Sequence, residues 1–399
     1  MRIAIISDLV NYWSWAGCEE LWAALAASAL GAGHKVAVFL NRENVPGHKI
    51  EPLQQLGLEA HFPVASAKIA NRLRKKVGWR LGNLVTAQFP PFREVHTFAP
   101  DVVFISAGDA LPRSEFLGGL EQSEILKLPY VLICHNSHLF DRPVEHLFRE
   151  AAARYYRGAR WVLFVAERTR QETEHLLAAK LDRVRIVRNP VNMSGTAPVP
   201  MPGGSTVRMA TLGRLTVNSK GQDILLAALG SPEFRNRDWQ LSIYGIGPHL
   251  EHLRVLAEHY RIGQRVAFMG YGSDIRAVWA ENHLLVLPSR VESAPLVLVE
   301  AMLCGRPSVV NNVGGVCEWT SEPATGFVSE GIHIKSFREA LERGWQVRGE
   351  WASIGLRARE KALQMLDPDP GDTVLKILQE VEMERGADSQ AETRRLAHA

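Results

Sequence analysis

Two glutamates, Glu292 and Glu300, flank a proline that marks the start of a predicted helix. The first of them follows an apolar run, Leu284–Leu287, which Pro288 ends, and such a run indicates a buried strand that leads into a turn. Pro295 then stands at the predicted first turn of the helix that carries Glu300. A helix N-terminus beside a strand end binds phosphate through its amides. Since the carboxylates can accept hydroxyl groups on either side of a diphosphate, the stretch predicts a nucleotide-sugar site.

Two cations follow the strand predicted at Val207–Leu212. Arg214 comes directly after Gly213, and Lys220 directly before Gly221. Cleavage of a sugar–phosphate bond leaves extra negative charge on the phosphate, and fixed positive charge there stabilises the transition state more than the ground state. The alternative is that both cations are solvated loop charges.

The two glutamates also have structural interpretations. Glu292 can act as a helix-entry acid that interacts with the helix dipole. Glu300 lies in an apolar context, which is unusual for a carboxylate, and can belong to a buried ion pair.

Composition limits the class of protein. The chain has 399 residues, 46% of them hydrophobic and 22% charged, with a formal net charge of +3. These values describe a globular chain of two domains without a broad field for nucleic acid. The four cysteines have no metal-binding spacing, and no apolar run is long enough to span a bilayer. We therefore expect a cytoplasmic protein with reduced thiols.

Strand-like and helix-like segments alternate in two blocks, which predicts two α/β domains with parallel sheets. The predicted domains are residues 1–190 and 207–367, joined by a Pro- and Gly-rich linker at 191–206. A final helix is predicted within 368–385, and 386–399 is predicted to be a polar, frayed tail. The predicted strands are Arg2–Ser7, Lys35–Leu40, 101–106, Tyr130–Cys134, 161–165, Val207–Leu212, 240–244, 265–269, 283–287 and 308–310.

Three further features point in other directions. No G-x-G-x-x-G follows the first strand, which argues against a dinucleotide oxidoreductase. Asp367 and Asp369 form a D-x-D pattern in a proline-rich segment, where we do not expect a metal site. The basic segment 68–80 is either a solvated face or a surface for an anionic acceptor or the inner face of a membrane.

The stretch from Ser289 to Glu318 resembles the E-x7-E region of retaining GT-B glycosyltransferases of family 4. The matching pattern comprises Glu292, Glu300-Ala-Met, Gly305-Arg-Pro, Gly314-Gly315 and Glu318. The resemblance implies a GT-B fold, in which two Rossmann-like parallel-sheet domains face each other across a cleft. It also implies a hexosyltransferase-type enzyme that moves a sugar from a nucleoside-diphosphate sugar to a hydroxyl acceptor (glycan, lipid or small molecule). Such enzymes retain the anomeric configuration and need neither a metal nor a cofactor.

The resemblance assigns roles in donor binding. Arg214 and Lys220 neutralise the leaving diphosphate, Glu300 accepts the ribose hydroxyls, and Glu292 binds the donor sugar and steadies charge at its anomeric carbon. The amides of Ala294, Leu296 and Val297 bind phosphate. In the family, the amides of a common E-G-F-G sequence reach the sugar and the diphosphate. Pro295 departs from this pattern and has no N–H to donate, so the resemblance does not define the contact with the sugar ring.

The first domain contributes two residues by the same resemblance. Gly17 occupies the second position of the usual Gly-Gly pair and allows the backbone to approach the diphosphate, although a plain turn glycine is the alternative. His135 follows the strand Tyr130–Cys134 and corresponds to a histidine beside the donor sugar, although many histidines are only structural. His138 has no equivalent role.

Three alternatives remain open at this point: a GT-B phosphorylase or nucleotide-sugar epimerase, a dinucleotide oxidoreductase, and a non-catalytic sugar-binding protein. In GT-B proteins the C-terminal helix crosses back onto the first domain, and the same is expected here. The sequence leaves the base, the sugar, the acceptor and the oligomeric state undetermined.

Overall fold

The computed structural model describes residues 1–7, 15, 17–40, 46–62, 90–136, 146–193, 195–272 and 274–397. The basic segment 68–80 and His138 lie outside these residues. The chain divides into two compact units. The amino-terminal unit comprises Met1–Pro190 and Asp367–Ala399, and the carboxy-terminal unit comprises Val191–Leu366.

The amino-terminal unit is built on a parallel sheet with the strand order β3-β2-β1-β4-β5-β6-β7. Its central strands are apolar runs that are buried on both faces, as parallel sheets covered by helices require. The strands are β1 Arg2–Ser7, β2 Lys35–Leu40, β3 Glu59–His61, β4 Val102–Ala107, β5 Tyr130–Cys134, β6 Trp161–Phe164 and β7 Val184–Ile186. The helices are α1 Gly17–Gly31, α2 Gly47–Gln55, α3 Pro90–Phe98, α4 Ser114–Gln122, α5 His146–Gly158 and α6 Glu167–Leu177, with a 3-10 turn at Ile125–Lys127.

The carboxy-terminal unit is built on a second parallel sheet, with the order β10-β9-β8-β11-β12-β13. Its strands are β8 Val207–Leu212, β9 Trp239–Tyr244, β10 Val266–Gly270, β11 Leu284–Leu287, β12 Ser308–Asn311 and β13 Phe327–Ser329. Its helices are α7 Val217–Lys220, α8 Gln222–Leu229, α9 Pro232–Arg235, α10 Leu250–His259, α11 Ile275–Glu281, α12 Leu296–Leu303, α13 Val316–Trp319, α14 Ile334–Gln346 and α15 Trp351–Met365, with 3-10 turns at Gly263–Arg265 and Arg348–Glu350.

Strand β11 shows how this second sheet separates two cores. Its alternate residues point to opposite faces, so Leu284 and Val286 join one buried cluster while Leu285 and Leu287 join the other. Helix α12 packs into the second cluster through five buried apolar side chains, Leu298, Val299, Ala301, Met302 and Leu303. Glu300 is therefore carried by a helix whose neighbouring positions are all buried.

The last helix, α16, spans Pro370–Ala397 and belongs to the amino-terminal unit, where it packs on α1. The two helices approach so closely that a Cβ at Gly371 would stand 2.4 Å from the carbonyl oxygen of Ala24. The predicted end at residue 385 is wrong, since 386–397 continue the helix and do not form a frayed tail. Polarity alone misled the prediction, because a polar sequence can also form a helix.

The segment predicted as a linker, 191–206, follows the boundary between the two units and is bonded to the carboxy-terminal unit. The described part of it has no helix or strand, yet its carbonyl oxygens are bound by side chains of the carboxy-terminal unit. The buried guanidinium of Arg306 donates to the oxygens of Val199 at 2.8 Å and Pro200 at 2.6 Å, and Arg276 donates to that of Ala197 at 2.8 Å. Pro and Gly remove periodicity, but carbonyl groups remain able to accept such bonds.

Candidate functional site

The strand order of the carboxy-terminal sheet creates a crevice beside its first strand. From β8 the chain adds β9 and β10 on one side, then returns to add β11, β12 and β13 on the other. In open parallel sheets, ligands bind outside the carboxyl ends of the strands where the order reverses in this way. Residues 213–221 follow β8 and residues 288–295 follow β11. The fold thus brings the two groups of predicted site residues to one edge of the sheet.

Lys220 and Glu292 meet at this edge. The Lys220 ammonium lies 2.6 Å from Oε1 of Glu292, and the hydroxyl of Ser289 donates to the same oxygen at 2.7 Å. Ser289 is buried, and the Glu292 side chain is only 8% exposed. Two donors on one oxygen leave Oε2 as the atom that can accept hydroxyl groups from a ligand.

Glycines and an asparagine shape the loop that carries Glu292. Gly314 adopts a φ of +50°, and a Cβ there would stand 1.7 Å from the carbonyl oxygen of Glu292. The amide of Gly315 donates to the carbonyl of Ser293 at 2.7 Å. Asn311, at the end of β12, donates to the carbonyl of Ser289 at 3.0 Å. Gly314 and Gly315, the Gly-Gly pair of the sequence motif, therefore contact the backbone of the loop that carries Glu292 and help to fix its position.

The loop that carries the two cations is held in a similar way. Gly213 has a φ of +148°, and a Cβ there would stand 3.7 Å from the methylene carbons of Lys220. The side chain of Gln222 donates to the carbonyl of Arg214 at 2.7 Å. Gly221 has a φ of +63°, and a Cβ there would stand 2.1 Å from the carbonyl oxygen of Pro288. The two loops thus touch through their backbones.

Glu300 lies in helix α12 with 8% of its surface exposed. Burial raises the pKa of its carboxyl from 4.5 to about 7. No hydrogen-bond donor among the described residues reaches this carboxylate. The helix begins at Leu296, and Pro295 is its N-cap. The sequence placed Pro295 in the first turn, so the predicted helix started one position too early. Leu296 and Val297 are the first two helical residues, and Ala294 precedes the cap.

Gly17 and His135 lie in the amino-terminal unit. Gly17 is the first residue of α1. His135 follows β5, and its amide donates to the carbonyl of Ala107 at 3.1 Å. Burial lowers the pKa of its imidazole to about 3, so that the ring is neutral at pH 7. Within the described ranges, neither ring nitrogen has a hydrogen-bond partner.

The D-x-D pattern has a local structural role. The amide of Asp369 donates to the carboxylate of Asp367 at 3.0 Å, and the amide of Asp372 donates to that of Asp369 at 2.9 Å, which caps the start of α16. In the part of the chain that the structure describes, no cluster of three or more His, Cys, Asp or Glu side chains is arranged to hold a metal. Nor does any helix in that part have the length and apolar character needed to cross a bilayer.

Sequence reasoning missed the residues that support the site. Ser289 belongs to the recognised pattern, but its bond to Glu292 had no signal in the sequence. Arg290 lies in the loop after β11, and Asp223 lies in the first turn of α8. The two side chains form a bidentate ion pair that nothing in the sequence had indicated. The two residues are 67 positions apart in the chain, so only the fold shows that they are in contact.

Two Rossmann-like units with parallel sheets, one carrying a Lys–Glu pair at its topological switch point, define the GT-B class of fold. Residues 206–346 match the family model described as "Glycosyl transferases group 1", and residues 15–194 match the one described as "Glycosyltransferase Family 4". Since the two matches together span most of the chain, it belongs to the family 4 (group 1) glycosyltransferases of the GT-B fold.

Individual relatives of the chain are named as a phosphotransferase and as a glycosyltransferase. An exopolysaccharide phosphotransferase of Streptomyces coelicolor is 28% identical over half of this chain (50%) and 21% of its own length. Alpha-D-kanosaminyltransferase of Streptomyces kanamyceticus is 27% identical over 55% of this chain and 62% of its own. The chain thus spans less than two thirds of either relative. The crystal structure of Anabaena HepE in complex with UDP superposes with a TM-score of 0.69 at 17% identity, covering 96% of this chain and 100% of that one.

Proposed function

We propose that this chain is a retaining glycosyltransferase that moves a sugar from a nucleoside-diphosphate sugar to a hydroxyl acceptor without a required metal ion. The observation that carries the proposal is the Lys220–Glu292 pair, joined at 2.6 Å where β8 and β11 end, with the buried Glu300 on the helix that follows. A cation, a carboxylate for sugar hydroxyls and a second carboxylate for a ribose are the groups that such a donor needs.

Donor binding exchanges partners at this site. Lys220 leaves Glu292 for the phosphate oxygens, and Glu292 then accepts hydroxyl groups of the sugar. Arg214 and the amides at the start of α12 add positive charge and hydrogen bonds to the diphosphate. Glu300 accepts the two ribose hydroxyls, which supply the donors that its carboxylate lacks among the described residues. The Anabaena structure, which contains UDP, supports a nucleoside diphosphate as the ligand.

The proposed reaction occurs on one face of the sugar. The bond from the anomeric carbon to the phosphate oxygen breaks, and the acceptor oxygen bonds to the same face of that carbon. The acceptor proton passes to an oxygen of the departing phosphate. Lys220 and Arg214 stabilise the charge that develops on that phosphate, which is the part a metal ion plays elsewhere. Glu292 holds the sugar, and the hydrogen bond that it keeps from Ser289 draws electron density from its carboxylate, which disfavours a role as a covalent nucleophile.

The amino-terminal unit is assigned to the acceptor. His135 is neutral at pH 7, and such an imidazole has one donor and one acceptor nitrogen for a bound hydroxyl group. Gly17 begins α1, and a glycine there allows the backbone to approach the diphosphate of the donor.

Calorimetric titration with UDP, GDP and ADP, followed by turnover assays with their sugars, tests the proposal. Lys220→Ala should lower turnover at least about a hundredfold, the scale of one preorganised charge contact. The exposed Lys335, in the same unit, provides the matched control, and its alanine variant should keep the rate. Coupling constants of the anomeric proton in the product report retention, and excess chelator tests for a metal.

Several outcomes would contradict the proposal. A near-normal rate in Lys220→Ala would remove the site assignment. Binding of NAD(P)H without binding of any nucleoside diphosphate would indicate an oxidoreductase. Conversion of the nucleotide-sugar without consumption of an acceptor would indicate an epimerase, and dependence on inorganic phosphate would indicate a phosphorylase.

A further inference from the structure

The side chain of Arg290 joins the loop that carries Glu292 to the chain on either side of Lys220, in addition to the Lys220–Glu292 pair itself. Its Nη1 donates to the carbonyl of Val217 at 2.6 Å and to Oδ1 of Asp223 at 2.7 Å, and its Nη2 donates to Oδ2 of Asp223 at 2.8 Å. Arg290 lies two residues before Glu292, whereas Val217 and Asp223 lie on either side of Lys220.

Backbone contacts repeat this connection at close range. The amides of Arg290 and Val291 both donate to the carbonyl of Ser219, at 2.8 and 3.1 Å. Gly221 lies against the carbonyl of Pro288, as described above. Lys220 is thus placed between two residues that each touch the glutamate loop. The guanidinium adds a planar fork to these contacts, and its side chain is 29% exposed, with Asp223 at 27%.

We propose that Arg290 is a positioning residue, which with Asp223 locks the spacing of Lys220 and Glu292 so that phosphate and sugar are held in register. The role of the spacing in sugar transfer rests on the proposed function. The set of bonds from Arg290 to Asp223 and Val217, here called the clamp, does not depend on that function. Arg290 already makes three hydrogen bonds to protein, and it acts on the two site residues through the loops and not through the ligand. Displacement of a reacting group by about 1 Å costs on the order of a hundredfold in rate.

The fork predicts a specific pattern of effects. Arg290→Lys keeps the charge, but one ammonium cannot reach both Asp223 oxygens and the Val217 carbonyl in the same geometry. The nucleoside diphosphate contacts Lys220 without needing Glu292 in register, so its dissociation constant should change less than about threefold. Turnover of the nucleotide-sugar needs both Lys220 and Glu292 in their correct positions, so it should fall about ten- to hundredfold. Asp223→Asn should reproduce this split, and the double variant should lose less than the product of the two.

A second fork in the same unit provides a matched control. Arg237 bonds both oxygens of Glu342, at 2.7 and 3.0 Å, with exposures of 24% and 30% that match those of the clamp. It also stacks on Phe234 and Trp345, so its loss should cost at least as much stability. Arg237→Lys should therefore lower the melting temperature without a change in turnover.

The test combines turnover with amide hydrogen exchange of the apo protein. In Arg290→Lys, peptides that contain the Arg290 and Val291 amides should exchange about tenfold faster, and those in Arg237→Lys should not. Exchange that is unchanged in Arg290→Lys, or equally fast in both variants, would overturn the clamp even if the wild type transferred no sugar. An active wild type with normal turnover in Arg290→Lys would overturn the positioning role alone. Absence of any wild-type transfer would refute the proposed function and leave the exchange result to decide the clamp.

Discussion

Replacement of Glu300 by glutamine should make the protein more stable at alkaline pH while weakening its nucleotide site. Burial raises the pKa of the Glu300 carboxyl from 4.5 to about 7, so the folded state binds more protons than the unfolded state between these values. Stability therefore falls as pH rises through this window, and the loss is complete above about pH 7. Glutamine has nearly the same shape and never bears the charge, so the variant escapes this loss.

The size of the effect follows from the two pKa values. The raised pKa, about 2.5 units above the unfolded value, lowers the unfolding free energy of the wild type by about 3 kcal/mol at pH 8. At pH 5.5 the same two pKa values lower it by about 1.5 kcal/mol. The gap in unfolding free energy between Glu300→Gln and wild type should thus shrink by about 2 kcal/mol from pH 8 to pH 5.5. This change is independent of how well glutamine packs, since packing contributes equally at both values.

The assay is denaturant unfolding of both proteins at the two pH values, with Glu339→Gln as the control. Glu339 lies on α14 with its side chain 54% exposed, so its substitution removes the same charge without the burial. A gap that stays constant with pH, or one that widens towards pH 5.5, would refute the reasoning. In a titration, wild-type affinity for the nucleotide should weaken up to about tenfold per unit below pH 7, whereas the variant should bind weakly at every pH.

Three further predictions concern support of the site and the fold. Ser289→Ala removes one of the two donors to Glu292 and should lower turnover about tenfold, with little change in nucleotide affinity measured by calorimetry. Gly221→Ala places a Cβ against a neighbouring carbonyl at a positive φ, so both turnover and melting temperature should fall, and normal values would contradict the close loop contact. Gly371→Ala should loosen α16 from α1 and lower the melting temperature, whereas Gly386→Ala, which meets open space in the same helix, should leave it unchanged or raise it.

The sequence predicted the central strands and one edge strand, β10, but missed the other three edge strands. Arg2–Ser7, Lys35–Leu40, Tyr130–Cys134 and Val207–Leu212 have the predicted bounds, because buried parallel strands are continuous apolar runs. The strands that sequence reasoning missed are β3, β7 and β13, each of three residues and each at the edge of its sheet. Three residues are too few to show a strand period, so pairing with the neighbouring strand is what defines these edges.

Residues within a motif could be found from the sequence, whereas residues that support the motif could not. Spacing together with the resemblance to family 4 glycosyltransferases singled out Lys220, Glu292 and Glu300 as candidates for binding a diphosphate and two sets of hydroxyl groups. Nothing local distinguished Arg290 from the many other arginines of the chain, and Arg306 was known only as part of a pattern. Its structural work, holding the segment at 199–200, depends on carbonyl groups more than a hundred positions away.

The sequence by itself determined two α/β units of parallel sheet and the set of charged residues suited to a nucleotide-sugar. Those conclusions rest on local order, namely apolar runs, glycines at turns and fixed spacings. The tertiary structure decided that Lys220 and Glu292 meet, that Glu300 is buried without a donor among the described residues, and that one arginine fastens the two loops. These features depend on chain segments about seventy positions apart that strand order brings to one edge, and no local pattern encodes that distance.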